Sequence, residues 1–111
     1  MPEKIWNSWG ASIIGPIHIT SGIPNQDSWM ARWYKWGNVV VVSDGLGSKT
    51  HSDHGSKAAC LAVFEAAKSY QNTPDANIVD ILRLIHANWL VKIAPYSSKD
   101  CLATCLFAIL I

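Results

Sequence analysis

The hydrophobic pattern of this chain changes period along its length, and each change marks an element. Residues 28–36 repeat every two positions, with Trp29, Ala31 and Trp33 on one side and Met30, Arg32, Tyr34 and Trp36 on the other. Aromatic residues at period two predict a strand. Val39, Val40, Val41 and Val42 follow a Gly37-Asn38 pair and end at Ser43-Asp44-Gly45-Leu46-Gly47-Ser48. Gly37-Asn38 reads as a turn, so the two strands are expected to form a hairpin. A valine run without polar alternation predicts a strand buried on both faces. Upstream, residues 1–10 read as a leader. Residues 11–20 read as one strand broken or bulged at Gly15-Pro16, and residues 21–27 as loop.

Downstream the period becomes helical. Ser52 or Asp53 can cap a helix running to about Gln71, with Ala58, Ala59, Ala62, Val63, Ala66 and Ala67 on one face. Asn72-Thr73-Pro74 breaks it. Thr73 as cap and Pro74 at the first helical position predict a second helix. Ile78, Ile81, Leu82, Ile85 and Trp89 form its apolar stripe, and Pro95 ends it. Residues 97–100 read as loop, and the chain returns to strand from Cys101. The order is strands, two helices, strand, without an internal repeat or domain boundary. This predicts an α+β fold with an antiparallel pair of helices over one face of a sheet.

Composition narrows the class. The chain has 111 residues, half of them hydrophobic and 15% charged, enough apolar material for one core. Nine Lys and Arg against eight Asp and Glu give a net charge of +1, and they are scattered, so no nucleic-acid footprint is expected. Cys60, Cys101 and Cys105 are an odd number without framework spacing, which favours a reducing, cytoplasmic compartment and inert buried thiols. No signal peptide is read at the N-terminus, and the longest apolar run, residues 106–111, is too short for a bilayer, so no membrane partner is expected. That run stops inside a strand-like segment. The expectation is a piece of a larger domain, or a strand that pairs with another chain.

The candidate chemistry lies at strand ends. In a hairpin of these two strands, Asp27 at the start of the first lies beside Asp44 at the end of the second. Two adjacent carboxylates repel unless a cation joins them. Oxygen ligands favour Mg²⁺ or Mn²⁺ over Zn²⁺, and the carbonyl of Gly45 is a further candidate. His51-Ser52-Asp53-His54 looks like a ligand cluster but has no third ligand at a matching spacing, and reads as a helix start. Lys49 and Lys57 read as solvated, and the six tryptophans as packing. Gly45-x-Gly47-Ser48 before a helix allows an anion-binding turn, without the lysine of a P-loop.

Asn25-Gln26-Asp27-Ser28, followed by Val41-Val42-Ser43-Asp44-Gly45-Leu46-Gly47-Ser48 and a helix, resembles the opening motifs of the PP2C-type metal-dependent serine/threonine protein phosphatases. Ser12, His18 and Gly22 resemble the bacterial-type branch, and Leu102-Ala103-Thr104-Cys105-Leu106 loosely resembles a third motif. The resemblance implies a PP2C-like β-sandwich flanked by helices, of which residues 1–111 are a single, partial domain, the N-terminal half. It implies that Asp44 bridges two metal ions, Mg²⁺ or Mn²⁺, that Gly45 offers its carbonyl, and that Asp27, with Gln26, holds the second metal. It implies a phosphoprotein substrate and a metal-activated water as nucleophile. Gly22 stands where the family has a phosphate-binding arginine, and His18 is a candidate replacement. The family's further aspartates are expected beyond Ile111. A non-catalytic, degenerate or truncated module that binds partners is the alternative.

Overall fold

The computed structural model describes residues 27–72 and 75–110. Its elements are β1 (Asp27–Tyr34), β2 (Gly37–Gly45), helix α1 (Ser52–Asn72), helix α2 (Ile78–Ile93), a 3₁₀ turn (Ser98–Asp100) and β3 (Ala103–Leu110). The fold is α+β. The strands make one antiparallel sheet in the order β1-β2-β3. The strand expected over residues 11–20 lies outside the described residues.

The hairpin forms, but its turn is not where the Gly-Asn signal placed it. Tyr34 pairs with Gly37 and Trp33 with Asn38, so the turn is Lys35-Trp36 and both Gly37 and Asn38 belong to β2. The reason is register. Shifting a strand by one residue exchanges its two faces. This register puts Met30 beside Val41 and Phe107, and Arg32 beside Val39 and Ile109, all on the side facing the helices. The guanidinium of Arg32 lies over the Phe64 ring, 4.5 Å from its centroid.

Among the described residues, β2 is covered by a helix on one face only. Val39 and Val41 are fully buried under α1, whereas Val42 is 51% exposed on the opposite face. On that face Trp29, Val42 and Leu106 form a row, and Leu106 is 76% exposed. The unbroken valine run thus supplies one face that α1 covers and one face that no described helix covers.

Helix α1 is the central layer. Ala58, Ala59, Cys60, Ala62, Val63, Phe64, Ala66 and Ala67 are all buried along it. Small side chains let this helix approach the sheet on one side and α2 on the other. Helix α2 runs antiparallel to α1 and packs mainly on it rather than spreading over the sheet. The Trp89 indole donates to the Gly55 carbonyl at 3.0 Å, and Lys92 pairs with Glu65. The packed stripe of α2 is Ile81, Ile85, Trp89 and Ile93; Ile78 and Leu82 are exposed. A four-residue step suits a helix resting on one neighbour, and the broader stripe would need a second one. The helix starts at Ile78, not at Pro74, because Asn77 caps it by accepting the Asp80 backbone N–H at 3.0 Å. Thr73 and Pro74 lie outside the described residues.

The segment before β3 closes the core. Cys101 is buried, and its carbonyl crowds Gly55: a Cβ built on Gly55 would lie 1.8 Å from that oxygen. Glycine is therefore required there by close approach of two backbones. β3 begins at Ala103, two residues later than the pattern suggested.

Candidate metal centre

Asp27 and Asp44 are Cα partners in the antiparallel ladder, at the end of the hairpin remote from its turn. The pairing continues across the sheet, because Asp44 also partners Thr104 of β3. One row therefore carries Asp27, Asp44 and Thr104 in line over three strands. It lies on the face opposite Val39, Val41 and α1, and Asp27 and Asp44 are exposed there. Side chains directly opposite in such a ladder have Cβ atoms about 5 Å apart. Like charges in that position destabilise the pair, so two aspartates here call for a cation or another counter-charge.

The backbone around the row is tied down. The Ser43 hydroxyl, buried on the α1 side, donates to the Thr104 carbonyl at 2.6 Å. The Thr104 hydroxyl donates to the Asp44 carbonyl at 3.3 Å. Beyond the strand, Leu46 N–H donates to the Leu102 carbonyl at 2.9 Å. Lys49 N–H and the Ser52 hydroxyl both donate to the Leu46 carbonyl. Asp44, Gly45, Leu46 and Gly47 on one side, and Leu102, Ala103 and Thr104 on the other, line an open cleft of about 370 Å³. At Gly45 and Gly47 the cleft wall is bare backbone.

The donor set fits a hard divalent cation. Two carboxylates, a threonine hydroxyl and main-chain carbonyls are oxygen donors, and Mg²⁺ is commonly held by one or two carboxylates with water in its remaining positions. Among the described residues no group of three or more His, Cys, Asp or Glu converges on one point, so the described site rests on the aspartate pair. Gln26 and His18 lie outside the described residues. Thr104 is the member of the row that strand-end reasoning passed over. The loose third motif was its signal, but only the β2–β3 register places it beside Asp44.

The other sequence candidates fall elsewhere. His51 stacks on Tyr96 with ring centroids 3.8 Å apart, and His54 meets the same ring edge-on at 5.3 Å. The His54 Nε2 lies 3.1 Å from the Lys92 carbonyl. These histidines join the start of α1 to the end of α2, and packing accounts for both. Cys60 and Cys101 are buried, and burial pushes the Cys60 thiol up to about 11, with neighbouring Cys105 adding to the rise. Such a thiol is a poor nucleophile at neutral pH. Cys105, expected as a buried thiol inside the last strand, is exposed, although its pairing with Ser43 puts it on the side of the sheet that faces α1. Of the tryptophans, Trp36 and Trp89 pack against the core and Trp33 is 54% exposed.

An antiparallel sheet backed by helices, with paired aspartates where its central strand meets a glycine turn, defines an α+β domain with its acidic site at a strand end. The family model of protein phosphatase 2C matches residues 14–111. The chain therefore belongs to the protein phosphatase 2C family, and its domain is phosphatase-like. No curated protein matched the chain, and no solved structure did. None of the described helices is long and apolar enough to cross a membrane.

Proposed function

We propose that this domain serves metal-dependent hydrolysis of phosphoserine and phosphothreonine in phosphoprotein substrates. The observation that carries the reading is the Asp27–Asp44 register pair beside a glycine-walled cleft, in a chain of this family. Asp44 and Asp27 would hold Mg²⁺ or Mn²⁺ through their carboxylates, and Gly45 through its carbonyl. Gln26 and His18 are proposed as auxiliary, through water or toward the phosphate. When bound, such ions lower the pKa of a shared water and neutralise phosphoryl oxygens. The chain's own part is to hold two opposed carboxylates on a rigid ladder and to leave room above them. Further carboxylates are proposed to come from sequence C-terminal to Ile111.

The test is Mn²⁺-dependent release of phosphate from a phosphothreonine peptide or an aryl phosphate, with and without chelator. Asp44→Ala is expected to lose at least ~100-fold of that activity, since outer partners alone are worth 10–100-fold in metal sites. Unchanged turnover in Asp44→Ala would sink the reading. The second reading, a non-catalytic module that binds partners, is favoured by one observation: only two carboxylates meet in the described site. Calorimetry with Mn²⁺ separates the two. Tight binding that Asp44→Ala removes supports the metal centre, and no heat at millimolar Mn²⁺ supports the module.

A further inference from the structure

The Gly45 carbonyl belongs to the same peptide plane as the Leu46 N–H. All described peptide bonds other than Ala94-Pro95 are trans, so this carbonyl and this N–H point in opposite directions. The Leu46 N–H is held by the Leu102 carbonyl at 2.9 Å. That single bond aims the Gly45 carbonyl away from Leu102. The next peptide plane ends in the Leu46 carbonyl, which accepts the Lys49 N–H at 3.0 Å and the Ser52 hydroxyl. The Ser52 oxygen also lies 3.3 Å from the Lys49 carbonyl. A hydroxyl has one hydrogen, and the shorter contact, to Leu46, takes it.

Ser52 is fully buried in the first turn of α1. The residue before it is also anchored, since His51 N–H donates to the Asp100 carbonyl at 2.8 Å. The hydroxyl therefore hangs from a fixed helix end and adds a side-chain tie to a glycine-flanked loop that is otherwise held by two backbone bonds, Leu46 N–H to Leu102 and Lys49 N–H to Leu46. We infer that Ser52 is a positioning residue for the metal centre: its hydroxyl helps lock the Gly45-Leu46-Gly47 turn and so keeps the Gly45 carbonyl turned away from Leu102, in the cleft that Asp44 also lines. The inference rests on the metal-centre reading above and adds to it a buried side chain that touches neither metal nor substrate.

Two measurements on the whole chain test it. The first is Mn²⁺ affinity by calorimetry for wild type, Ser52→Ala, Ser52→Thr and Cys60→Ala. Cys60 is equally buried on the same helix and is remote from the loop contacts, so its variant controls for a general loss of stability. Ser52→Ala is expected to weaken Mn²⁺ by about tenfold or more, the usual scale for groups that orient ligands. Ser52→Thr keeps the hydroxyl and is expected to stay within about threefold of wild type by the same reasoning. The second measurement needs no metal: amide hydrogen exchange at Leu46 and Lys49 should speed up in Ser52→Ala while Val41 is unchanged. Wild-type affinity in Ser52→Ala, or an equal loss in Cys60→Ala, overturns the inference. If Ser52→Ala does not fold, Ser52→Thr decides, and a tenfold loss there also overturns it. Absence of Mn²⁺ binding by wild type is a different result, which removes the metal centre and this inference together, whatever the exchange data show.

Discussion

Asp44 shows how much a single position can be asked to do. It is the penultimate residue of the central strand, faces Asp27 across the ladder and precedes a turn with glycines at 45 and 47. Like charges directly opposite in a ladder are destabilising, so its charge opposes the pairing of β1 with β2 wherever no counter-charge offsets it. Asp44→Asn is therefore expected to leave the metal-free protein as stable as wild type or more so, by ~0.2–1 kcal/mol, while abolishing its response to Mn²⁺. Urea denaturation with chelator and with Mn²⁺ measures both halves of that expectation. Gly55 behaves in the opposite way. Its partner is a backbone oxygen that cannot step aside, so Gly55→Ala is expected to destabilise by at least ~1–3 kcal/mol, the ordinary cost of overpacking. Cys60 adds a pH dependence. Its folded pKa, pushed up to about 11, exceeds that of the unfolded thiol near 9.0, so the folded state keeps a proton that the unfolded state loses. This contribution to stability is complete below about pH 9 and falls as pH rises toward 11, by roughly 2–3 kcal/mol in all. Cys60→Ala should flatten that alkaline loss in melts from pH 8 to 11. The aspartate pair was legible in the sequence because hairpin ends coincide by construction. The roles of Gly55 and Ser52 were not, because each depends on a carbonyl contributed by a segment distant along the chain or hidden inside a turn.

At the scale of elements, the valines carry the clearest contrast. Val41 and Val42 are adjacent and chemically identical, yet one is fully buried and the other half exposed. Val41→Ala is expected to cost about 1–3 kcal/mol through lost burial and a residual cavity, and Val42→Ala less than about 0.5 kcal/mol. Equal costs in chemical denaturation would show that both faces are covered. Helix α2 depends on its first turn: Asn77→Ala removes the side-chain acceptor for Asp80 N–H and should cost ~1 kcal/mol. The alanine face of α1 could be read from spacing alone, because a helix that separates a sheet from a second helix must be small on two sides. The turn at Lys35-Trp36 could not be, since Gly37-Asn38 carries the stronger local signal. Pairing of the flanking strands, with Met30 and Val41 both turned to α1, overrides it. The two-helix layer was expected over the sheet; α1 takes that place and α2 rests on α1.

For the whole molecule, the three layers put the acidic row on the side of the sheet away from the helices. The acidic row and the core are thus separated by the sheet itself. Changes at Asp27 and Asp44 can be made without touching the packing of Val39, Val41 and Phe64. Ligand linkage then gives a direct expectation: Mn²⁺ at 100 times its dissociation constant should stabilise the fold by about 2.7 kcal/mol, and chelator should reverse it. The face bearing Trp29, Val42 and Leu106, which no described helix covers, makes a second demand, since apolar rows of this kind favour association. We propose pairing through β3 as its consequence. Leu106→Lys should lower any concentration-dependent mass seen in sedimentation, and an unchanged mass distribution would argue against β3.

What the sequence determined by itself was local and periodic: the alternating strand, the alanine helix, a second helix that ends before Pro95, though not where it starts, and the two aspartates at strand ends. Period and turn chemistry are short-range properties, so they are written in neighbouring residues. The resemblance to the PP2C phosphatases was written there too, in the spacing of Asp27 and Asp44-Gly45. Tertiary structure alone decided which face of the valine run is covered, that Thr104 joins the aspartate row, and that Ser52 and Leu102 grip the turn beyond Asp44. Those facts depend on how segments far apart in the chain meet, and β3 joins the sheet only after the chain has passed through both helices.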